Sequence, residues 1–189
     1  MKPTDRKSEI INISAALFKE KGYSAVTMRD IAQALDIKAA SLYNHIKSKQ
    51  QILELIIIEI AEEYTHTIRS IEASSATSVS KIEEVIQLHI DITVRNPEAL
   101  ASLNNDWMHL PETQLQYFLR MREEYEAIFR SIIKKGIQDG ELRNHNAEVM
   151  IFTILSTIRT LYLWYGKKKD FSANVLEKNL KQILLRGII

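Results

Sequence analysis

Apolar residues return every three or four positions through most of this chain, in long stretches between rare glycines and prolines, and the pattern predicts helix almost throughout. From about Asp5 to Lys21, the residues Ile10, Ile13, Leu17 and Phe18 form one stripe, and Gly22 stands where a left-handed C-cap belongs. Thr27 and Asp30 read as a capping box opening a short helix with Ile31, Ala32 and Leu35 inward. Asp36 and Ile37 make a turn, and a second short helix is predicted from Lys38 to His45. Ser48 and Gln51 cap a long helix carrying Ile52, Leu55, Ile56, Ile60 and Tyr64, followed by a polar break from Glu72 to Ser80. Ser80 to Glu83 opens another helix that ends before Pro97, and a shorter one spans Pro97 to Asn105. Pro111, at an N1-like position, begins a helix through Leu115, Phe118, Tyr125, Phe129 and Ile132 that stops near Gly136 to Gly140. Ala147 to Gly166 is apolar on nearly every side, and Ser172 to Leu185 closes the series. The expectation is an all-α chain of about nine helices. It divides into a three-helix N-terminal domain, residues 1–49, and a helical domain, residues 50–189, connected by the helix from Ser48.

Composition narrows the class. With 189 residues and 46% hydrophobic content the chain can bury a sizeable core. It has no cysteine, which removes disulfides and thiolate metal sites. The opening "MKPTDRKSEI" lacks the apolar run of a signal peptide, and "ILELIIIEIA" is interrupted by Glu54 and Glu59 and falls short of the roughly 20 residues that span a bilayer, so a soluble cytoplasmic protein without membrane contact is expected. The net charge of +1 hides an asymmetry, because residues 1–49 hold nine Lys/Arg against five Asp/Glu while the rest holds sixteen against nineteen. A small basic front end is suited to phosphates.

That front end also has the plan of a helix-turn-helix: a longer helix supplies the floor for two short ones joined by a tight turn. On the second short helix Leu42 and Ile46 lie one turn apart and pack inward, which leaves Lys38, Ser41, Asn44 and His45 on the outer surfaces. A major groove about 12 Å wide admits one helix, phosphates accept bonds from lysine, serine and tyrosine, and base edges are read from the helix's leading end. Tyr43 can offer its hydroxyl to a phosphate and Lys49 adds a cation at the start of the next helix, while Thr27 and the free N–H groups beside it suit another phosphate. The competing reading is an ordinary solvated helix surface; the ordered run of cap, helix, turn, polar helix and second cap at the basic end favours DNA.

The stretch "GYSAVTMRDIAQALDIKAASLYNHIKSKQQIL", Gly22 to Leu53, resembles the DNA-binding domain of TetR-type transcriptional regulators, with matches at Gly22, Thr27, Ile31, Ala32, Leu42, Tyr43, Lys47 and Lys49. The resemblance implies operator contacts from Thr27, Lys38, Ala39, Ala40, Ser41, Tyr43, Asn44, His45 and Lys49. Asp36 replaces the usual turn glycine, Ala40 often a glycine and Ile46 often a phenylalanine; aspartate tolerates the left-handed conformation, so the turn survives. The changes at Lys38 and Ala40 mean that no operator sequence carries over.

One such module makes too few contacts for specificity, and paired modules about 34 Å apart are the usual solution. The last two helices are expected to supply the pairing as half of a four-helix bundle with a second copy, an arrangement the resemblance also implies; burial of both within one chain is the alternative. Trp107, Met108, Tyr117, Arg120, Met121, Tyr125, Phe129, Arg159 and Tyr162 mix aromatic, flexible and isolated polar groups, the lining of an apolar pocket or of an ordinary core. The resemblance implies that this region holds a small inducer. The tail, "FRSIIKKGIQDGELR" with "WYGKKKDFSANVLEKNLKQILLRGI", is similar to TetR-type regulators of fatty-acid or sterol-degradation genes that respond to acyl-CoA thioesters. That similarity implies an acyl tunnel beside Trp107, Tyr125 and Phe129, with Arg120, Arg122 or Arg159 for a polar head group; Lys167 to Lys169 could meet phosphates or simply complement a helix C-terminus.

Enzymatic function is not expected. Five glycines leave no phosphate-cradling loop, and neither G-x-S-x-G nor H-E-x-x-H occurs. His45, His66, His89, His109 and His145 are scattered without metal-ligand spacing, so neither a metal nor a cofactor is implied. A helical interaction module without DNA remains the other class, and it would leave the Thr27 to Lys49 pattern unexplained.

Overall fold

Side-chain hydrogen bonds from Thr27, Ser48, Thr77, Asn146 and Ser172 mark where five of the helices begin. A computed structural model describes residues 6–165, 167 and 172–189. Asp5, Gly166, Lys168 and Lys169, which figured in the expectations above, lie outside the described residues. Among the described residues there are ten α-helices and no strand: α1 (Arg6–Lys21), α2 (Met28–Ala34), α3 (Ala39–Leu42), α4 (Lys49–Ala73), α5 (Ser78–Arg95), α6 (Pro97–Asn105), α7 (Glu112–Gln138), α8 (Ala147–Arg159), α9 (Leu161–Tyr165) and α10 (Ala173–Arg186). Single 3-10 turns occupy Tyr23–Ala25 and Trp107–His109. The all-α expectation stands, and nine segments become ten because Thr160 interrupts the helix predicted over Ala147 to Gly166.

The Thr27 box forms as predicted: Thr27 Oγ1 accepts from the Asp30 N–H at 3.2 Å and Asp30 Oδ2 accepts from the Thr27 N–H at 2.7 Å. At α4 the pattern shifts by one residue. Ser48 Oγ accepts from the Gln51 N–H at 3.1 Å, but the Gln51 side chain reaches back to the Lys47 N–H at 2.7 Å. The start of α5 is a correction. Thr77, not Ser80, is its N-cap, with extended backbone and a hydroxyl accepting from the Ser80 N–H at 3.1 Å. Gly22 is also corrected: φ 83 and ψ 142 put it in extended backbone of left-handed sign, which excludes other residues more firmly than the left-handed helical region would. On α1 the buried positions are Ile10, Ser14, Ala15 and Phe18, with Ile13 and Leu17 half-buried; small residues let the neighbouring backbone approach, so the stripe sits to one side of the aliphatic one.

Backbone contacts divide the chain into two compact units, Met1–Ala61 with Glu98–Leu119, and Glu62–Pro97 with Arg120–Ile189. α4 and α7 are continuous helices that each contribute to both units. The first unit is centred on Ile10, Phe18, Ile31, Leu42, Ile46 and Leu53, all at most 2% exposed. Lys19 pairs with Glu98 at 3.3 Å, tying α6 to α1. The second unit is organised by α5, which packs on α8, α9 and α10 and buries Ile82, Val85, Ile86, Ile90 and Ile92.

Gly136 lies inside α7, where alanine is ordinarily the better helix former by about 1 kcal/mol. A Cβ there would stand 2.7 Å from Leu142 Cδ1 and 2.7 Å from Ser78 Cβ, an atom fixed to the backbone of α5. Overpacking typically costs about 1–3 kcal/mol and exceeds the propensity gain. Gly136→Ala is expected to lower the urea midpoint with unchanged slope; an unaltered or raised midpoint would refute the close approach.

Candidate nucleic-acid interface

The turn between α2 and α3 is made by two bonds from the end of α2: the Ile37 N–H donates to Ala32 O at 3.0 Å and the Asp36 N–H to Gln33 O at 3.1 Å. This is the Schellman pattern, with Asp36 at φ 52 in the place usually given to glycine. Asp36 is the one non-glycine residue with positive φ among the described residues.

The predicted helix Lys38 to His45 is shorter in the structure. Lys38 is the N-cap, α3 ends at Leu42, and the chain continues through Tyr43 to His45 as tighter turn, with Asn44 N–H donating to Ser41 O at 3.2 Å and His45 N–H to Leu42 O at 3.0 Å. The reason is the small number of anchors. Leu42 and Ile46, at 0% and 1% exposure, pin the segment, and a four-residue helix has little stability of its own. Lys38, Ala40, Tyr43, Asn44 and His45 are exposed, and Ala39 and Ser41 are half-exposed. All seven are therefore reachable from solvent on the surface of this segment. Arg29 and Gln33, one turn apart on α2, join Lys38 and Asp36 around a shallow depression beside that surface. Neither was among the residues singled out in the sequence, although both fall on the side of α2 opposite Ile31 and Leu35.

Thr27 is exposed, but its groups are occupied. Its hydroxyl donates to Asp30 Oδ2 at 2.6 Å while accepting from the Asp30 N–H, and these bonds hold the Asp30 carboxyl below its usual value. Lys49 also differs from a free cation. Its Nζ donates to Tyr23 O and Val26 O, both at 2.7 Å, and lies 4.3 Å from the Tyr23 ring centroid. The other neighbours of that ring are His109, stacked at 5.0 Å, and Phe18, edge-on at 5.1 Å.

The candidate ligand residues are distributed over both units. In the first, Trp107 stacks on Phe118 at 6.1 Å, Met108 is 56% exposed and Tyr117 is exposed. In the second, Met121, Tyr125, Phe129 and Tyr162 are buried, Arg120 is exposed, and Arg159 is ion-paired with Glu126 at 2.8 Å. Arg122 approaches the same Glu126 carboxylate at 3.6 Å. Tyr125 belongs to a buried polar cluster in which its hydroxyl lies 2.9 Å from His89 Nε2, while the Tyr64 ring stacks obliquely on His89 at 4.5 Å. Burial, with a smaller contribution from the Arg159 charge, pushes the His89 imidazole down to about 3. Neither His89 nor Tyr64 was singled out as part of a cluster; their sign in the sequence is only an apolar helical face interrupted by one imidazole.

On α8 to α10 an apolar surface faces outward: Val149, Phe152, Leu163 and Ile183 are 61%, 72%, 52% and 70% exposed. Thr153, Thr157 and Thr160 on the same stretch turn their hydroxyls onto the carbonyls of Val149, Thr153 and Ser156 at 2.8, 2.9 and 2.8 Å. By length and composition alone, Ala147–Tyr165 could cross a membrane; its buried side here packs on α5.

Comparison with known proteins gives consistent matches. A sequence profile described as "Bacterial regulatory proteins, tetR family" matches residues 10–56, and one described as "Tetracyclin repressor-like, C-terminal domain" matches residues 75–188. The HTH-type transcriptional repressor KstR2 of Rhodococcus jostii (strain RHA1) is 26% identical over 185 residues, covering 97% of this chain and 91% of that protein. The solved structure of the ketosteroid transcriptional regulator KstR2 of Mycobacterium tuberculosis superposes with a TM-score of 0.91 at 21% identity, covering 98% of this chain and 95% of that one. The crystal structure of AibR in complex with isovaleryl coenzyme A and operator DNA gives a TM-score of 0.79 at 19% identity, covering 96% and 98%. Two profiles that together span most of the chain, on an all-α fold with an N-terminal helix-turn-helix and a C-terminal helical domain, show that this chain belongs to the TetR family of bacterial regulatory proteins.

Proposed function

We propose that the protein is a cytoplasmic transcriptional repressor that binds a palindromic operator as a homodimer and releases it when a small apolar ligand of the acyl-CoA class binds. The observation that carries this reading is the Lys38–His45 segment, pinned from below by Leu42 and Ile46 with its polar groups outward. Ser41, Tyr43, Asn44 and His45 meet the major groove and its phosphates, Lys38, Ala39 and Ala40 face base edges at the leading end, and Thr27 reaches a phosphate once its hydroxyl leaves Asp30. Pairing of two chains through α8, α9 and α10 would cover Phe152 and Ile183, and the threonine hydroxyls on that surface already have partners, so their burial incurs little desolvation cost. The acyl-CoA assignment is supported by the isovaleryl coenzyme A bound in AibR. Its apolar part would enter the second unit near Tyr125 and Phe129, and its polar part would compete with Glu126 for Arg159.

The test is binding to palindromic duplexes from the gene's own upstream region over a range of salt. Each phosphate neutralised contributes about −0.9 to the log–log slope, so several contacts give a steep line, and Tyr43→Phe weakens binding by about 1 kcal/mol. Addition of acyl-CoA species is expected to release the duplex. Salt-independent binding would refute the DNA role, and retention of the duplex under every acyl-CoA would refute the ligand class.

A further inference from the structure

We propose that Lys49 is a positioning residue of this surface, holding the turn that presents Thr27 and α2, and that it does not neutralise a phosphate. The inference rests on the DNA-binding reading above. A lysine ammonium has three N–H donors. Here the Tyr23 and Val26 carbonyls take two at 2.7 Å, the Ser24 carbonyl lies at 3.4 Å, and the Tyr23 ring covers the ammonium at 4.3 Å. Reaching a phosphate would require breaking these bonds and leaving the carbonyl of Val26, itself 1% exposed, without its partner.

The segment so held needs an external tie. It starts at Gly22, whose left-handed φ of 83 only glycine adopts freely, and its internal bonds are long: Ala25 N–H to Gly22 O at 3.2 Å and Val26 N–H to Tyr23 O at 3.3 Å. It ends at Val26, the residue before the Thr27 cap of α2. Lys49 is the first residue of α4 and lies 23 positions after Val26 in sequence, so its side chain fastens the start of α2 to the start of α4, on either side of α3. Tyr23 completes the clasp by packing between the lysine, Phe18 and His109. A carbonyl cluster at the end of a 3-10 turn concentrates partial negative charge, and a lysine is the natural counter-group.

The full-length protein would be compared as wild type, Lys49→Met, Lys49→Arg and Tyr23→Leu. Salt-dependent duplex binding and backbone hydrogen exchange of the free protein are the two readouts. Lys49→Met is expected to weaken the duplex on the order of tenfold at every salt concentration, with the log–log slope unchanged, and to speed exchange in the peptide from Tyr23 to Ile31 while α5 exchanges as before. Tyr23→Leu should reproduce both effects, Lys49→Arg should restore most of the affinity, and Lys49→Met added to Tyr23→Leu should do little more. A slope shallower by about 0.9 in Lys49→Met, with exchange of the turn unchanged, would make Lys49 a phosphate ligand and overturn the proposal. Unchanged affinity in Lys49→Met would overturn it as well. If the wild type binds no duplex at all, the functional reading fails by itself; the exchange measurement still decides whether Lys49 holds the turn.

Discussion

Leu42→Ala is expected to destabilise the N-terminal unit by about 2–5 kcal/mol and to remove duplex binding at temperatures where the native chain retains it. Leu42 is fully buried, and it is one of two large side chains that fasten a four-residue helix to its floor. Truncating it leaves a cavity in the core of that unit and withdraws the packing on which so short a helix depends. Tyr43→Ala is the informative partner. Tyr43 is 53% exposed, so its removal should change stability by no more than about 0.5 kcal/mol while still weakening the duplex. Thermal unfolding and duplex binding measured on both variants separate holding the helix from contacting DNA. A Leu42→Ala protein with native midpoint and native binding would show that the segment is held by something other than its inward face.

The second large effect concerns acid. His89 is buried against Tyr64 and bonded to Tyr125, and its imidazole is held near 3 in the folded chain against about 6.5 when unfolded. Between those values the unfolded chain binds a proton that the folded chain refuses. Stability from this residue is therefore complete above about pH 6.5 and is lost as the pH falls toward 3, at up to about 1.4 kcal/mol per pH unit. The lowered carboxyls of Asp30, Glu124, Glu126 and Glu148 act in the same direction once the pH falls into the ordinary carboxylate range, and Asp106, raised by burial, acts oppositely just above it, so the difference between the native chain and His89→Gln, compared from pH 6.5 to about 5, isolates the histidine. Urea midpoints across that interval should fall steeply for the native chain and much less for His89→Gln, which cannot titrate. Parallel curves would mean that His89 is protonated at little cost and is not enclosed as described.

What the sequence disclosed was mostly short-range. The Thr27–Asp30 box, the turn at Asp36 and the inward pair Leu42 and Ile46 each depend on residues within a few positions, and each appears where periodicity and cap chemistry put it. The end of α3 was overestimated because a helical pattern does not say when tertiary anchors run out. Thr77 was passed over for Ser80 because both can cap, and the choice rests on backbone conformation. Long-range pairs left no trace in the pattern: Lys49 with Val26 is 23 positions apart and His89 with Tyr125 is 36. Lys49 looked like a free cation since nothing nearby in sequence claims it, and His89 looked isolated for the same reason.

Asp36 carries two separate costs, one in the fold and one at the surface beside α3. Holding φ at 52 strains an aspartate where a glycine would be relaxed, and on the proposed reading its exposed carboxylate also faces a polyanion. The strain is present with or without a duplex and lowers folding stability alone, whereas the charge opposes the duplex itself. Glycine at this position would relax the backbone and remove the charge together, and asparagine would remove the charge while keeping a residue that tolerates the same φ.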